Sequence, residues 1–419
     1  MLTGPRRQLQ VLDRAAAFRA LFLAATASGI GTWLAVIALT VDVYDRTHSA
    51  KWVSALLVAD FLPAVVIGLA FGPVVDRFSR RRLMVASDLV SVGVFIALIF
   101  AGTPGQIVAL AAVAGFATGF FRPAAYAGLP NLVDEADLPA ANSLLRSTAN
   151  LTMVVGTLLG GVVAGTAGPH VSYGINAASF AVSALLLTTI PARRLQAVEE
   201  RPESEGYLDE LRSGFTLVLR SQALLAVFIS WNLVMFANAG VNVAEIVLAK
   251  VTFNAGSFGF GLLWAGSGVG MVIGSLYAPS WLEHRSVSVV YGAGLALMAF
   301  GSLAAALSPD VWVGAVSMAL GGSGNGAAIV CNSLLVQRGA PDHLRGRAFT
   351  TIMSVNFALL GAGMALAGPI TDSVGARWVF GGAAAFAGVA AVVGRALTRR
   401  LGSPVGAEQQ GVQAASAPS

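Results

Sequence analysis

The chain has little charge for its length. Only 11% of its 419 residues are Asp, Glu, Lys or Arg, whereas 56% are hydrophobic, and its mean hydropathy is +0.74. Soluble domains carry about a quarter charged residues. An ordinary water-soluble fold is therefore excluded, because one core cannot bury so much apolar surface.

Cysteine, lysine and histidine are also scarce. The single cysteine, Cys331, excludes a disulfide framework and a cysteine-based zinc site, and we predict that it is a small packing residue. The two lysines, Lys51 and Lys250, each follow alanine, so the sequence has no P-loop for ATP. The four histidines form no His-Glu-x-x-His pair. We predict a non-enzyme without cofactor or metal.

The sequence consists largely of apolar runs separated by short polar breaks. Each run is close to the roughly 20 residues that a helix needs to cross a bilayer. The runs lack the alternation that is typical of barrel strands. We predict an all-α integral membrane protein of 12 transmembrane helices arranged as two six-helix bundles. The predicted spans are 18–41, 52–75, 83–102, 106–128, 141–167, 170–190, 223–249, 257–280, 287–307, 311–336, 347–371 and 376–397.

Polar segments divide the chain. The longest, 191–222, predicts a solvated cytoplasmic linker between an N-terminal bundle at 18–190 and a C-terminal bundle at 223–398. The first run is too long for a signal peptide, and more spans follow it, so we expect a retained helix after a cytoplasmic N-terminus at 1–17. The composition of 399–419 predicts a disordered tail.

Basic residues predict the orientation. Most arginines fall in the N-terminus, the linker, the C-terminal end and alternate loops, whereas the opposite side holds only Arg46, Lys51, Lys250 and Arg377. Cytoplasmic loops collect positive charge. We therefore expect both termini in the cytoplasm of a multi-pass plasma-membrane protein. This distribution explains the net charge of +5 without nucleic acid as a partner.

An internal repeat supports two related halves. The segment Gly115–Asn142 overlays Gly321–Ala348 at a constant offset of about 206 residues, and the same offset pairs Gly68 with Gly274. An offset near half of the chain length is typical of transporters that are built from two repeats.

The loop after the second predicted span carries a distinctive motif. It reads Gly72-Pro-Val-Val-Asp76-Arg77-Phe-Ser-Arg80-Arg81-Arg82. Positive-inside topology alone explains the arginines but not the glycine and aspartate at these offsets. The motif resembles the Gly-x-x-x-Asp-Arg-x-x-Arg-Arg-Arg loop of the major facilitator superfamily. The resemblance implies a gating loop between helices 2 and 3.

Each residue of this motif has a physical role in such a gate. Gly72 lets two helices approach closely, and Asp76 is favoured near a helix N-terminus. We expect the arginines to pair with an acidic residue of the next cytoplasmic loop and so to latch the gate in one state. The candidate partners are Asp134, Glu135 and Asp137.

Two further stretches narrow the resemblance. Phe120-Phe121-Arg122-Pro123-Ala124 and the loop after it are similar to the branch that contains macrolide-efflux and siderophore-export proteins. In the fifth predicted span, Gly156-Thr157-Leu-Leu-Gly160-Gly161 resembles the Gly-Pro-x-x-Gly-Gly motif of antiporters, with Thr157 in place of proline. These glycines are equally compatible with small-residue helix packing.

Four charged residues fall within predicted spans: Asp60, Asp88, Arg122 and Glu245. Such residues are costly in hydrocarbon and mark functional sites by default. Asp60 and Glu245 are the leading candidates for the proton carrier, followed by Asp88, although Glu245 also fits an interfacial residue near Lys250. Asp88 and Arg122 have similar depths and can form an ion pair. The alternative for Asp88 is a structural or hydrated carboxylate.

Other residues inside spans are candidates for a substrate cavity. Arg122 falls on helix 4, which lines the cavity in the resembled family, and can contact an anionic substrate or a coupling carboxylate. Trp33, like Trp231 and Trp264, can stack on an aromatic or cationic ligand. Asn238 and Asn325, with Asn232, Asn242 and Asn332, can line a polar cavity or form ordinary interhelical hydrogen bonds.

These features predict a secondary active transporter that works by rocking of its two halves. The resemblance implies a proton-coupled exporter of a hydrophobic or amphipathic small molecule such as a drug, macrolide or siderophore. We expect a monomer whose partners are this substrate, protons and the lipid bilayer. The alternatives are a membrane sensor or scaffold without transport, and an importer of a small nutrient.

Overall fold

The computed structural model describes residues 5–70, 78–195 and 207–399. Within these ranges the chain is helical and has no strand, and 12 helices are long and apolar enough to cross a bilayer. The predicted fold class and number of spans are confirmed. The spans are α1 Ala16–Thr47, α2 Ala50–Ala70, α3 Arg80–Ile99, α4 Pro104–Gly128, α5 Leu138–Thr166, α6 Pro169–Thr188, α7 Gln222–Val247, α8 Gly256–His284, α9 Val287–Leu307, α10 Val311–Gly339, α11 Arg345–Val374 and α12 Ala376–Thr398.

The first span is longer than predicted. Sequence analysis ended it at residue 41, before a polar segment, but α1 continues to Thr47 and ends where His48 adopts the left-handed conformation with φ of 46°. The helix tolerates its added charges because Asp42 and Arg46, four residues apart, are ion-paired. Asp42 thereby becomes a buried acid within a span.

The chain forms two compact units, which differ from the predicted bundles in one segment. The first unit comprises residues 1–202 and 254–265, and the second comprises 203–253 and 266–419. The beginning of α8 therefore belongs with the first unit. The rest of α8 belongs with the second.

In the first unit, α1 packs against α5 and α6, α2 packs against α4, and α3 packs against α4 and α6. A short helix, Pro5–Arg14, precedes these spans, in the predicted N-terminal segment. Its Val11 is only 2% exposed and joins a buried cluster with Phe18, Leu21 and Leu195. This cluster ties the chain before α1 to the end of α6.

In the second unit, α7 packs against α11 and α12, and α9 packs against α10 and α12. The predicted linker contains a helix, Tyr207–Arg220, which packs against α11. Its Val218 is fully buried in the core of this unit. Apolar residues recur at helical spacing here, which favours an amphipathic helix. The linker residues 196–206 and the predicted tail at 400–419 lie outside the described ranges.

The repeat appears as equivalent helix contacts within each unit. Gly115 of α4 lies directly against the carbonyl oxygen of Asp60 on α2, and Gly322 of α10 lies in the same way against the carbonyl oxygen of Ser267 on α8. The second pair follows the first by 207 residues (267 minus 60, and 322 minus 115). The offset is within one residue of that read from the sequence.

A second contact recurs with the same spacing. A Cβ on Gly156 of α5 would lie 2.7 Å from the carbonyl oxygen of Ile30 on α1, and a Cβ on Gly363 of α11 would lie 3.2 Å from that of Phe236 on α7. The offsets are 207 residues for the glycines and 206 for their partners. In both units, glycine allows the same two helices to approach closely.

Candidate functional site

The arginines of the predicted gating loop bind helix ends. Arg80, only 7% exposed, donates from Nη1 to the carbonyl oxygens of Ala127 at 2.9 Å and Leu195 at 3.0 Å. Arg81 donates from Nη1 to the carbonyl oxygen of Ile190 at 3.0 Å. Carbonyl groups at helix C-termini lack intrahelical partners and favour positive charge. These contacts fasten the start of α3 to the end of α4 and to the chain that follows α6.

The remaining predictions for this loop have different outcomes. Asp134 and Glu135 form no ion pair with the described arginines of the loop, Arg80 to Arg82, and the predicted pairing of the loop with Asp134, Glu135 or Asp137 stays a prediction. The guanidinium groups of Arg80 and Arg81 donate hydrogen bonds to backbone carbonyls. Arg82 is exposed, and Gly72, Asp76 and Arg77 lie outside the described residues.

Asp88 is a fully buried carboxylate. It is 0% exposed, and neither of its oxygen atoms has a hydrogen-bond partner among the described residues. It lies beside the Ser183 hydroxyl of α6, which is itself without a partner there. The ion pair proposed with Arg122 does not form, because the Arg122 side chain is exposed and Asp88 is enclosed.

Glu245 is also buried within its unit. It lies near the end of α7, is 2% exposed, and its Oε1 atom has no hydrogen-bond partner in the described ranges. An interfacial residue would face solvent or headgroups. This burial supports the coupling prediction for Glu245 over the interfacial alternative.

Asp60 stands at a tight crossing of two helices. Its side chain is half-buried, and its backbone carbonyl lies against Gly115 of α4. Its carboxylate has no ion-pair or hydrogen-bond partner within the described chain. The three candidate carboxylates thus share one property: no cation neutralises them within the part of the chain that the structure describes.

Sequence analysis missed a fourth acid, Asp42. It is 5% exposed, pairs with Arg46 at 2.6 Å, and accepts a 2.8 Å hydrogen bond from the Tyr173 hydroxyl of α6. Arg46 also lies 3.3 Å from the His170 ring. The available signal was the four-residue spacing of Asp42 and Arg46, which places both on one helix face.

Arginine side chains hold corresponding turns in the two units. Arg46 donates to the carbonyl oxygen of Gly102 at 3.2 Å, just before α4. Arg377 donates to the carbonyl oxygen of Ser308 at 3.0 Å, just before α10. The two acceptors are 206 residues apart, although the donors come from non-equivalent helices. Arg46 and Arg377 therefore stabilise turns on the side of the predicted topology that has few basic residues.

An aromatic pair lies within the first unit. The rings of Trp33 on α1 and Trp264 on α8 have centroids 5.7 Å apart at an angle of 48°. Both residues are half-buried, and the Trp264 indole nitrogen has no hydrogen-bond partner among described residues. Trp231, by contrast, is 7% exposed and belongs to the core of the second unit. The structure therefore favours the first two tryptophans over Trp231 as ligand contacts.

The predicted asparagines belong to α7 and α10 of the second unit. Asn232 accepts a 3.4 Å hydrogen bond from Asn356 of α11, which fits the interhelical alternative for Asn232. Asn238 and Asn325 are half-buried, and Asn325 Oδ1 has no partner in the described chain. Sequence analysis missed Asn356, which is 3% exposed.

The three glycines of α5 have packing contacts. Gly156 lies against α1, where an added Cβ would be 2.6 Å from Trp33 Cβ, and Gly160 lies against Leu34. A Cβ on Gly161 would lie 3.1 Å from the Cα of Gly261 on α8. The packing alternative therefore describes what these residues do in this structure, and one of them supports the Trp33 backbone.

The comparison with protein families decides the identity of the fold. A family model for transmembrane secretion effectors, within the major facilitator superfamily, matches residues 12–411. The chain belongs to this family. It is accordingly a multi-pass membrane transporter with a small-molecule substrate, as its relatives are, and its relatives are not enzymes.

Two members of the superfamily that are named as an efflux pump and an exporter align with most of the chain. The multidrug efflux pump Tap of Mycolicibacterium fortuitum is 27% identical over 381 residues, which cover 86% of this chain and 90% of Tap. The enterobactin exporter EntS of Salmonella typhimurium is 29% identical over 350 residues, which cover 81% of this chain and 82% of EntS.

The chain is also similar to solved structures, and at these low sequence identities the similarity concerns the fold only. A POT family transporter in complex with a thioalcohol-conjugated peptide superposes with a TM-score of 0.75 at 12% identity and covers 92% of this chain and 96% of that one. The nucleoside transporter NupG superposes with a TM-score of 0.71 at 16% identity, covering 91% and 99%.

Proposed function

We propose that this transporter exports a hydrophobic or amphipathic small molecule in exchange for protons, by alternating access. The outward direction of transport is supported by the relatives Tap and EntS, whose names describe an efflux pump and an exporter. Because the sequence has no P-loop, the remaining driving forces are an ion gradient and the substrate's own gradient, and the proposal assigns a proton gradient.

The observation that carries proton coupling is the set of uncompensated carboxylates. Asp60, Asp88 and Glu245 all lie in spans, and none has a cationic partner among the residues described. An ionised carboxylate without a partner is very costly in a low-dielectric interior. A side chain in that position is suited to bind a proton when enclosed and to release it when water gains access.

The substrate class rests on a few groups. The Trp33–Trp264 pair offers aromatic surface with one unpartnered N–H donor, and Asn325 offers an unpartnered carbonyl. Binding sites for small molecules combine mostly apolar walls with a few such polar groups. A drug, a macrolide or a siderophore is compatible with this set. Arg122, exposed on α4, is the candidate contact for an anionic substrate.

The proposal includes the membrane in which the protein lies and its orientation there. The charge distribution supports a plasma-membrane protein with both termini in the cytoplasm. The protein works as a monomer, with one substrate path per chain.

The test measures transport into inverted membrane vesicles with and without an imposed pH gradient. The compounds tested are those to which overexpression of the protein makes cells more resistant. We expect accumulation that requires an acidic lumen and collapses when a protonophore is added. Accumulation that ignores the gradient would exclude proton antiport. Failure of overexpression to change resistance or secretion across a broad compound panel would argue against export.

The alternatives give different results in the same assays. A sensor or scaffold would bind a compound specifically without any flux in reconstituted vesicles. An importer would show lost accumulation of a nutrient in a deletion strain, in place of lost resistance or secretion.

A further inference from the structure

A cavity of about 450 Å³ lies in the first unit where the start of α1 meets the chain that follows α6. Its volume is within the range of small-molecule sites. The residues that line it and carry the argument are Arg19, Arg194, Thr189, Leu23, Leu186 and Pro191. Arg81 binds the carbonyl oxygens of Thr188 and Ile190, so the cavity is at the same end of the unit as the arginine-rich loop.

The polar side of this cavity is positive. Arg19 and Arg194 are both exposed, and their guanidinium groups form no ion pair or hydrogen bond within the described chain. None of the residues that line the cavity is acidic. A third guanidinium, that of Arg81, lies beside it at Thr188. Guanidinium groups bind phosphate oxygens through paired hydrogen bonds.

The other side of the cavity is apolar and leads along the spans. Leu23 of α1 and Leu186 of α6 line it, and Leu23 is 45% exposed. Large exposed side chains of this kind on membrane-spanning helices face lipid tails. The ligand therefore has a charged end at the arginines and an apolar body beside the leucines.

We propose that this cavity binds the phosphate headgroup of an anionic phospholipid, held by Arg19 and Arg194 with an acyl chain along Leu23 and Leu186. A soluble phosphate would use the arginines but would leave the apolar wall exposed to water. Charge complementarity together with this wall identifies lipid as the occupant. The site is independent of the proposed substrate and coupling residues.

The experiment is native mass spectrometry of the full-length protein in detergent with added dioleoylphosphatidylglycerol or dioleoylphosphatidylcholine. We expect the tightest bound lipid to be phosphatidylglycerol. The double variant Arg19→Gln/Arg194→Gln should lower its affinity about 30-fold, as expected for losing two cations at a membrane surface. The variant Arg19→Lys/Arg194→Lys should retain most of the binding, which excludes misfolding as the cause.

A matched control is Arg285→Gln, which removes an exposed arginine from the loop between α8 and α9 and should bind phosphatidylglycerol like the wild type. Equal binding of the two lipids, or unchanged binding by the double glutamine variant, would overturn the proposal. Displacement of the lipid by inorganic phosphate at equal concentration would also overturn it, because the site would then recognise a free anion.

Discussion

The Tyr173 hydroxyl donates a 2.8 Å hydrogen bond to Asp42 Oδ2, which connects the beginning of α6 to the end of α1. Tyr173 is fully buried and Asp42 is 5% exposed. Arg46 completes the arrangement on the other carboxylate oxygen at 2.6 Å. A buried acid is thus satisfied from two helices, in contrast to the three candidate coupling acids.

This bond makes Tyr173→Phe a stability variant. Removing the hydroxyl leaves a buried carboxylate oxygen short of a donor, and hydrogen bonds to charged groups contribute about 1.5–3 kcal/mol. We expect a lower Tm of the purified protein in detergent. The control Tyr277→Phe changes a tyrosine that is 61% exposed and should leave Tm unchanged. Equal Tm values for both variants would contradict the role given to the bond.

The crossing of α2 and α4 predicts a strong effect for Gly115→Ala. The added methyl group would collide with the Asp60 carbonyl oxygen, and overpacking of this kind costs about 1–3 kcal/mol. We expect a lower Tm together with weaker transport, because Asp60 is displaced. Gly93→Ala is the control, since a Cβ there meets nothing within 4 Å. Wild-type Tm and transport in Gly115→Ala would contradict the prediction, because α2 and α4 would then accommodate the methyl group without loss of stability.

Proton coupling predicts a separation of transport from binding. Asp60→Asn or Glu245→Gln should abolish transport driven by a pH gradient and leave substrate binding largely intact, since each keeps the side-chain size and removes the proton-binding group. Vesicle uptake and equilibrium binding are the two measurements. The controls Asp13→Asn and Glu283→Gln neutralise exposed acids.

Asp88→Asn belongs to the same series. Asp88 is more completely enclosed than Asp60, and we expect a partial loss of proton-driven transport. If Asp60→Asn and Glu245→Gln both transport like the wild type, the assignment of coupling to these residues is wrong.

The gating loop predicts a kinetic effect. Asp76→Asn should slow the interconversion of the two access states, because it removes the acid of the motif whose arginines hold the ends of α4 and α6. The rate is measured by labelling an introduced cysteine, which reports alone because Cys331 is 0% exposed. Asp134→Asn, in a loop acid without an ion pair in the described chain, is the control. Unchanged labelling kinetics in Asp76→Asn would remove the latch hypothesis.

The number of helices was predictable because bilayer thickness imposes a length on every apolar run. The repeat was predictable because equivalent glycines recur at a constant offset. The end of α1 was not, since the Asp42–Arg46 pair makes a polar segment compatible with a buried helix. The unpaired state of Asp88 and Arg122 was also beyond prediction. Depth along a helix follows from residue number, but the direction of a side chain depends on which neighbours pack against each face.

The glycine–carbonyl contacts also allow the two halves to differ. Asp60 and Ser267 occupy equivalent places against Gly115 and Gly322, so both halves have the same contact while the side chain beside it differs. Backbone proximity constrains the glycine, whereas the partner contributes only its carbonyl and is free to change. One half can therefore carry an acid at this crossing, and the other a serine, without any difference in helix packing.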